Sequence, residues 1–168
     1  EILSGLVGSE MCIRDRQSKN DSSLKNRYRL MWMDAVYEPG EVKVIAYNKD
    51  GKAVAEKVVR TAGKPHHIEL VSNRNELTAD GKDLAYVTVK VVDKDGNLCP
   101  TDNRQINFSA KGTGKYRAAA NGDPTNLEQF HLPKMHTFNG MLTAIIQAGE
   151  TAGEIVFTAK ANGVKAGN

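Results

Sequence analysis

Aromatic side chains are scarce in this chain of 168 residues, at 6% for Phe, Trp and Tyr together. Exposed rings that could stack on sugars are therefore few. No run of about 18 apolar residues occurs, which excludes a membrane-spanning helix within the stretch. Neither sign of charge dominates: 23 Lys and Arg stand against 20 Asp and Glu, for a net charge of +3. The basic residues are scattered, so no cationic stripe points to nucleic acid. The two cysteines, Cys12 and Cys99, allow one disulfide at most. Cys99 follows a turn and precedes Pro100, and no neighbouring base is implied that would lower its pKa. It reads as a small residue at a strand end, not as a nucleophile. Residues 1–8 lack the basic start and long apolar core of an export signal.

Motifs of catalysis are missing as well. No nucleophile elbow, phosphate-binding glycine loop or dinucleotide fingerprint appears, and the glycines sit in turns. Glycoside hydrolysis needs two carboxylates facing each other across about 5 to 10 Å. The acids here fall mostly in turns and on outer faces, so no such pair is indicated. No catalytic residue, metal or cofactor is expected from this chain.

What the chain does have is alternation. In the stretch 79–100, Ala85, Val87, Val89 and Val91 alternate with Tyr86, Thr88 and Lys90. A period of two puts the first set on one face of a strand over 84–92 and the second on the other. Asp93-Lys94-Asp95-Gly96-Asn97 then ends the strand with residues suited to turns. A strand with one valine face needs a second sheet to cover it. The same pattern predicts strands over 66–71, 104–110, 115–120, 141–147 and 154–161, with Ile68, Leu70, Ile106, Phe108, Ala110, Ile155, Phe157 and Ala159 inward. Short strands, frequent turns and no helical period predict an all-β, immunoglobulin-like sandwich over 63–168.

Before it, 18–62 predicts a partial β-sandwich domain. Strands over 27–32, 42–47 and 53–60 make a three-stranded meander too small to stand alone. The echo between VKVIAYNKDGKAV and VTVKVVDKDGNLC fits two modules of one type, or two hairpins sharing one turn chemistry. Residues 6–15, LVGSEMCIRD, resemble an in-frame translation of a transposon-type sequencing adapter. Residues 1–17 are accordingly expected to be non-native or disordered, and 1–16 are set aside from fold reasoning.

Three residue groups invite a ligand. Asp93-x-Asp95-Gly96-Asn97 resembles the start of a calcium loop, but the sixth position is Leu98 where glycine is required, so a plain turn is expected. His66 and His67 are adjacent on a strand start, and side chains at adjacent positions point to opposite faces. They are read as solvated. Glu128, His131 and His136 share one loop at a spacing that fits no known metal motif. That loop, 121–139, has no strand period, and a loop of such length is functional or disordered. Asn121, Asp123, Glu128, Phe130, His131 and Phe138 are the candidate residues of a surface for interdomain or carbohydrate contact. Phe130, Leu132 and Phe138 are expected to anchor the loop by packing on the sandwich.

Three stretches taken together resemble the C-terminal end of bacterial family 2 glycoside hydrolases of the β-galactosidase type. They are YRLMWMDAVYEPGEVKVIAYNKDGKAVAEKVVRTAG, LTADGKDLAYVTVKVVDKDGNLCPTDNRQINFSAKG and ANGDPTNLEQFHLPKMHTFNGMLTAIIQ. The resemblance spans about residues 24–163. It implies accessory sandwich domains that follow a jelly-roll, an immunoglobulin-like domain and a catalytic (β/α)8 barrel. On that reading 24–62 end one accessory domain and 63–168 form the terminal one, related to bacterial invasin-type modules. The family often continues with one more strand past this point. Its catalytic glutamates lie in the barrel, so none is carried onto this sequence. The partners implied are the barrel and other domains of the parent chain, with carbohydrate as a further one and no nucleic acid. A periplasmic or secreted parent is implied too. The alternatives are a stalk or adhesin module of immunoglobulin-like repeats, and a carbohydrate-binding accessory domain.

Overall fold

The valine alternation between 85 and 91 forms strand β6 (Leu84–Val92), and Val89 and Val91 on its inner face are fully buried. The structure is a computed structural model that describes residues 3–8, 15–18, 29–33 and 36–167. Eleven strands and no helix occur among the described residues. They divide into two compact units, Glu1–Thr61 and Ala62–Asn168.

The first unit carries β1 (Leu3–Gly8), β2 (Asp15–Ser18), β3 (Glu41–Tyr47) and β4 (Ala53–Arg60) in one antiparallel sheet of order β2-β1-β3-β4. The strand expected over 27–32 is not found: 29–33 carry none, and 27 and 28 lie outside the described residues. Its place beside β3 is taken by β1. Ladder bonds are made by backbone groups, so any extended segment can complete an open edge. β1 and β2 thus include part of the stretch set aside as foreign; that likeness concerns origin, which backbone pairing does not address. Across β3 and β4, Arg60 pairs with Glu41 at 2.7 Å and Lys43 with Glu56 at 2.8 Å.

The second unit contains β5 (His67–Ser72), β6, β7 (Gln105–Gly112), β8 (Gly114–Ala120), β9 (Lys134–His136), β10 (Met141–Ala148) and β11 (Ile155–Lys160). They form two antiparallel sheets, β5-β6-β10-β8 and β11-β7-β9. Val89, Val91 and Ala144 from the first sheet meet Ile106, Met135 and Ala159 from the second, and all six are 0% exposed. Phe108 adds stacked contacts to Tyr116 and Phe157, with ring centroids 5.4 and 5.9 Å apart. The strand order of the larger sheet is the A-B-E-D order of an immunoglobulin-like sandwich, with β7 and β11 in the C and F places.

The sequence echo has a structural counterpart in two turns of one geometry. Asn48 Oδ1 accepts from the N–H groups of Asp50 and Lys52, at 3.1 and 2.9 Å. Asp93 Oδ1 accepts from Asp95 and Asn97, both at 2.9 Å. The first turn closes the β3–β4 hairpin; after the second the chain returns only as a Val92–Leu98 bridge. Asp93 is 2% exposed, and its Oδ2 also accepts from Gly63 N at 2.8 Å and Asn97 Nδ2 at 3.1 Å. Protein N–H groups therefore occupy both oxygens of the supposed calcium-loop aspartate. The Gly63 bond, then the Asn97 side chain, hold its carboxyl far below the ordinary 3.8. A depressed folded pKa gives stability that is present above the ordinary value and lost as pH falls toward the folded one. Asp93→Asn is expected to lower the thermal midpoint at pH 7. The deficit shrinks as the pH is brought from about 5 to about 2. Calorimetry across that range checks it, and a deficit independent of pH would contradict the assignment.

Candidate functional site

The segment 121–139, read from the sequence as a loop without strand period, is held together from within. Asn121 is its hub. Asn121 Nδ2 donates to the His136 carbonyl at 3.0 Å, and Asn121 Oδ1 accepts from Asp123 N at 3.1 Å and Asn126 Nδ2 at 3.2 Å. Asp123 Oδ1 accepts from the Thr125 amide at 2.8 Å and the Thr125 hydroxyl at 2.7 Å, the local bonding that lets Asp and Asn build turns. Asn126 Oδ1 takes Glu128 N at 2.9 Å. Glu128 then spans the loop: Oε2 accepts from His136 N at 3.0 Å and Oε1 meets His136 Nδ1 at 3.0 Å.

One expectation for this segment is corrected. A strand does lie within it, β9, which pairs with β7 through Gln105–His136, Ile106–Met135 and Asn107–Lys134. Met135 enters the core at 0% exposure, while Lys134 and His136 face out. The signal that could have shown this is Asn139-Gly140, a hairpin dipeptide, with Phe138 and Met141 exchanging bonds of 2.9 and 3.1 Å across it.

The expected anchors behave differently from the reading. Phe130, Leu132 and Phe138 are 55%, 36% and 39% exposed, and Leu127 is 96% exposed. The loop is fastened by its backbone and by Tyr116. Ala119 N donates to the Phe130 carbonyl at 2.9 Å, and Phe108 N to that of Pro133 at 2.8 Å. Tyr116 OH lies 3.0 Å from the Phe130 carbonyl and 2.8 Å from that of Leu132. Burial pushes the Tyr116 phenol up to about 12, which keeps it a neutral donor. The sequence offers no signal for Tyr116 in this role, since it is one residue of a short strand.

The structure brings together Asn121, Asp123, Glu128 and His136, and leaves Phe130, His131 and Phe138 on the outer surface. Hydrogen bonds from Thr125 N and Oγ1 hold Asp123 below the usual carboxylate range. Burial alone would raise Glu128, but the bonds from His136 outweigh it and the net shift is downward. Both acids are thus ionised and bound within their own loop, unlike a general acid, which needs a raised pKa. Among the described residues no group of three His, Cys, Asp or Glu could hold a metal ion. His66 and His67 correct the alternation argument: their Nδ1 atoms lie 3.1 Å apart, because His66 precedes β5 and is not bound by its alternation. Cys99 is free and 3% exposed, and burial pushes its thiol up; Cys12 lies outside the described residues.

Comparison with known proteins gives two family matches. The family described as glycoside hydrolase family 2 C-terminal domain 5 matches residues 68–168, and a domain of unknown function matches 14–55. A β-galactosidase of Bacteroides ovatus is 45% identical over 129 residues, covering 77% of this chain and 15% of that protein. A β-galactosidase of Thermoanaerobacter pseudethanolicus is 34% identical over 113 residues, covering 67% of this chain and 14% of its own length. Among solved structures, a glycosyl hydrolase family 2 member from Bacteroides cellulosilyticus superposes with a TM-score of 0.83 at 27% identity, over 98% of this chain and 22% of that one. A β-glycosidase from Bacteroides vulgatus shares the fold at a TM-score of 0.86 and 22% identity, over 98% of this chain and 20% of that one. The chain thus spans about one seventh of the two β-galactosidases.

Proposed function

Because the chain belongs to the glycoside hydrolase family 2 C-terminal domain 5 family, we propose that it is the non-catalytic C-terminal accessory region of a β-galactosidase-type hydrolase. The observation that carries this reading is the 45% identity to one β-galactosidase over 129 residues, joined to a site whose acids are tied into their own loop. The whole enzyme releases terminal β-linked sugars by a retaining, double-displacement route. Its acid/base and nucleophile carboxylates sit in a barrel outside this chain. Residues 18–62 end one accessory domain and 63–168 form the terminal one. Their role is to brace the barrel or shape the edge of its cleft.

The 121–139 loop is the contact surface in this scheme. Its polar network supplies a fixed backbone, and Leu127, Phe130 and Phe138 are apolar groups exposed on it. Apolar groups held on a rigid loop are suited to burial against a neighbouring domain.

The purified chain is expected to give no hydrolysis of a chromogenic β-galactoside above the buffer rate. Turnover that co-purifies with the chain would overturn the non-catalytic assignment. In the parent gene, the region upstream of the native sequence that begins near Gln17 is expected to encode a barrel with two facing glutamates; tandem sandwich repeats or a membrane anchor there would make the chain a stalk module instead.

A further inference from the structure

Two imidazoles stand together outside the 121–139 loop, and nothing in the proposed function uses them. They are His66 and His67, at the start of β5. Their Nδ1 atoms lie 3.1 Å apart, with ring planes at 87° and centroids 5.3 Å apart. Both side chains are half-buried, so solvent still reaches the rings.

The backbone beneath the pair is pinned on two flanks. His66 N donates to the Val92 carbonyl at 2.8 Å, and the His66 carbonyl accepts from Lys165 N at 2.9 Å. His67 pairs with Val92 across the β5–β6 ladder and bridges Lys165 on the other side. Ile68, the next residue, is 3% exposed in the core. Neighbouring histidines in a free chain would have to be ordered before both rings met one partner; here the fold has already ordered them.

Two imidazole nitrogens this close need a positive centre between them. In the metal-free pair that centre is a proton: one Nδ1–H donates to the other Nδ1, so the rings hold different tautomers. A metal ion can take its place. At the usual Zn–N distance of about 2.0 to 2.1 Å, an ion touching both nitrogens would see them at roughly 100°, an angle open to tetrahedral zinc. The other close pair, Glu128 Oε1 and His136 Nδ1 at 3.0 Å, is different. There the ring N–H faces a carboxylate whose second oxygen already accepts from His136 N.

We infer that His66 and His67 form a two-nitrogen chelate for a divalent ion of the imidazole-binding class, zinc above all, held through both Nδ1 atoms. Water completes the coordination, because among the described residues no third His, Cys, Asp or Glu joins the pair. On binding, the ring that carried its proton on Nδ1 carries it on Nε2 instead, so both rings stay neutral and no net proton is released. Imidazole nitrogen suits zinc, copper and nickel, whereas magnesium and calcium take oxygen ligands. The ion stands where the start of β5, the end of β6 and the segment around Lys165 meet, so binding stabilises the second unit. The inference is independent of the proposed function.

The test is a titration of the whole chain with zinc ions, followed by calorimetry and by the NMR shifts of the ring nitrogens. One ion is expected to move Nδ1 of His66 and of His67 together and to raise the thermal midpoint, and excess magnesium is expected not to displace it. His66→Asn and His67→Asn are each expected to weaken binding by at least about tenfold, while His131→Asn and His136→Asn leave it within about twofold. In urea the unfolded chain is expected to bind at least about tenfold more weakly, since the ordering is then lost. Amide exchange at Val89 reports that each variant stays folded, and the ring shifts are read on the unaltered chain, so the result does not depend on any variant. Unmoved Nδ1 shifts at either ring, binding that follows His131 or His136, or equal affinity in urea overturns the inference.

Discussion

Gly140→Ala is expected to destabilise the second unit by about 3 to 5 kcal/mol and to lower its thermal midpoint by about 10 °C or more. Two effects add at this residue. The turn between Phe138 and Met141 has φ of 52° at Asn139 and 74° at Gly140, the left-handed region that costs a residue with a Cβ about 1 to 2 kcal/mol. A Cβ at Gly140 would also run into the Cys99 carbonyl oxygen, with Leu98 Cδ1 at 3.3 Å closing the other side. Neither neighbour can withdraw easily. Cys99 N is bonded to the Val91 carbonyl at 2.9 Å, and Gly140 itself bridges the Asp102 carbonyl and the Val91 amide at 2.9 Å each. Asn139→Gly, which keeps the turn, is expected to stay within about 1 kcal/mol of the parent chain. Urea unfolding of the three proteins decides it; a Gly140→Ala midpoint equal to that of Asn139→Gly would contradict the jammed-turn account.

Arg104→Ala is expected to cost about 3 kcal/mol at pH 7, because it strands a carboxylate in the interior. The Asp102 side chain is only 7% exposed. Arg104 Nε donates to its two oxygens at 2.9 and 2.8 Å, Nη2 to Oδ2 at 2.6 Å, and Nη1 reaches the Asn162 carbonyl at 2.7 Å. Thr137 Oγ1 adds a bond of 3.0 Å to the Asp102 carbonyl. The cluster ties the start of β7 to the end of β9 and to the loop after β11. Burial, the largest single influence, would raise Asp102, but the Arg104 side chain, its backbone N–H at 3.1 Å and Thr137 together outweigh it, so the carboxyl sits below its ordinary value. Without the guanidinium, burial is opposed only by the residue-104 backbone N–H and Thr137, and the carboxyl rises. The variant's deficit therefore narrows as the pH falls from 7 toward about 4, where the acid can be buried neutral. Arg104→Lys is expected to fall between the two, since it keeps a charge and loses the fork. Urea titrations at both pH values test this. A deficit that stays constant with pH would mean that packing of the arginine stem, and not the stranded charge, sets the loss.

The residues most legible in the sequence are those that alternate. The alternation bounds Leu84–Val92 to the residue, and a period of two gives the inward sets of β7 and β11 directly. The candidate site was legible in part. Asn121, Asp123 and Glu128 are turn formers and acids in one loop, and they do converge. Their partner Tyr116 comes from a strand and gives no local sign. The strand inside the loop is not legible, because three residues are too few to show a period, although Asn139-Gly140 follows it as a turn signal. The exposure of Phe130, Leu132 and Phe138 is not legible either, because apolar character says that burial is favourable, not that a surface is within reach.

The alternating valines, the turn residues between them and the lack of any helical period determined by themselves that this chain is built of strands with one buried face. Which strand lies beside which was decided only by tertiary structure. β7 and β8 are separated by Thr113 alone, yet they enter different sheets. The physical reason is that a period of two records which side chains share a face, while pairing is made by backbone groups identical at nearly every residue. The choice among partners then falls to how well two apolar faces fill the space between the sheets, and that property belongs to no single segment.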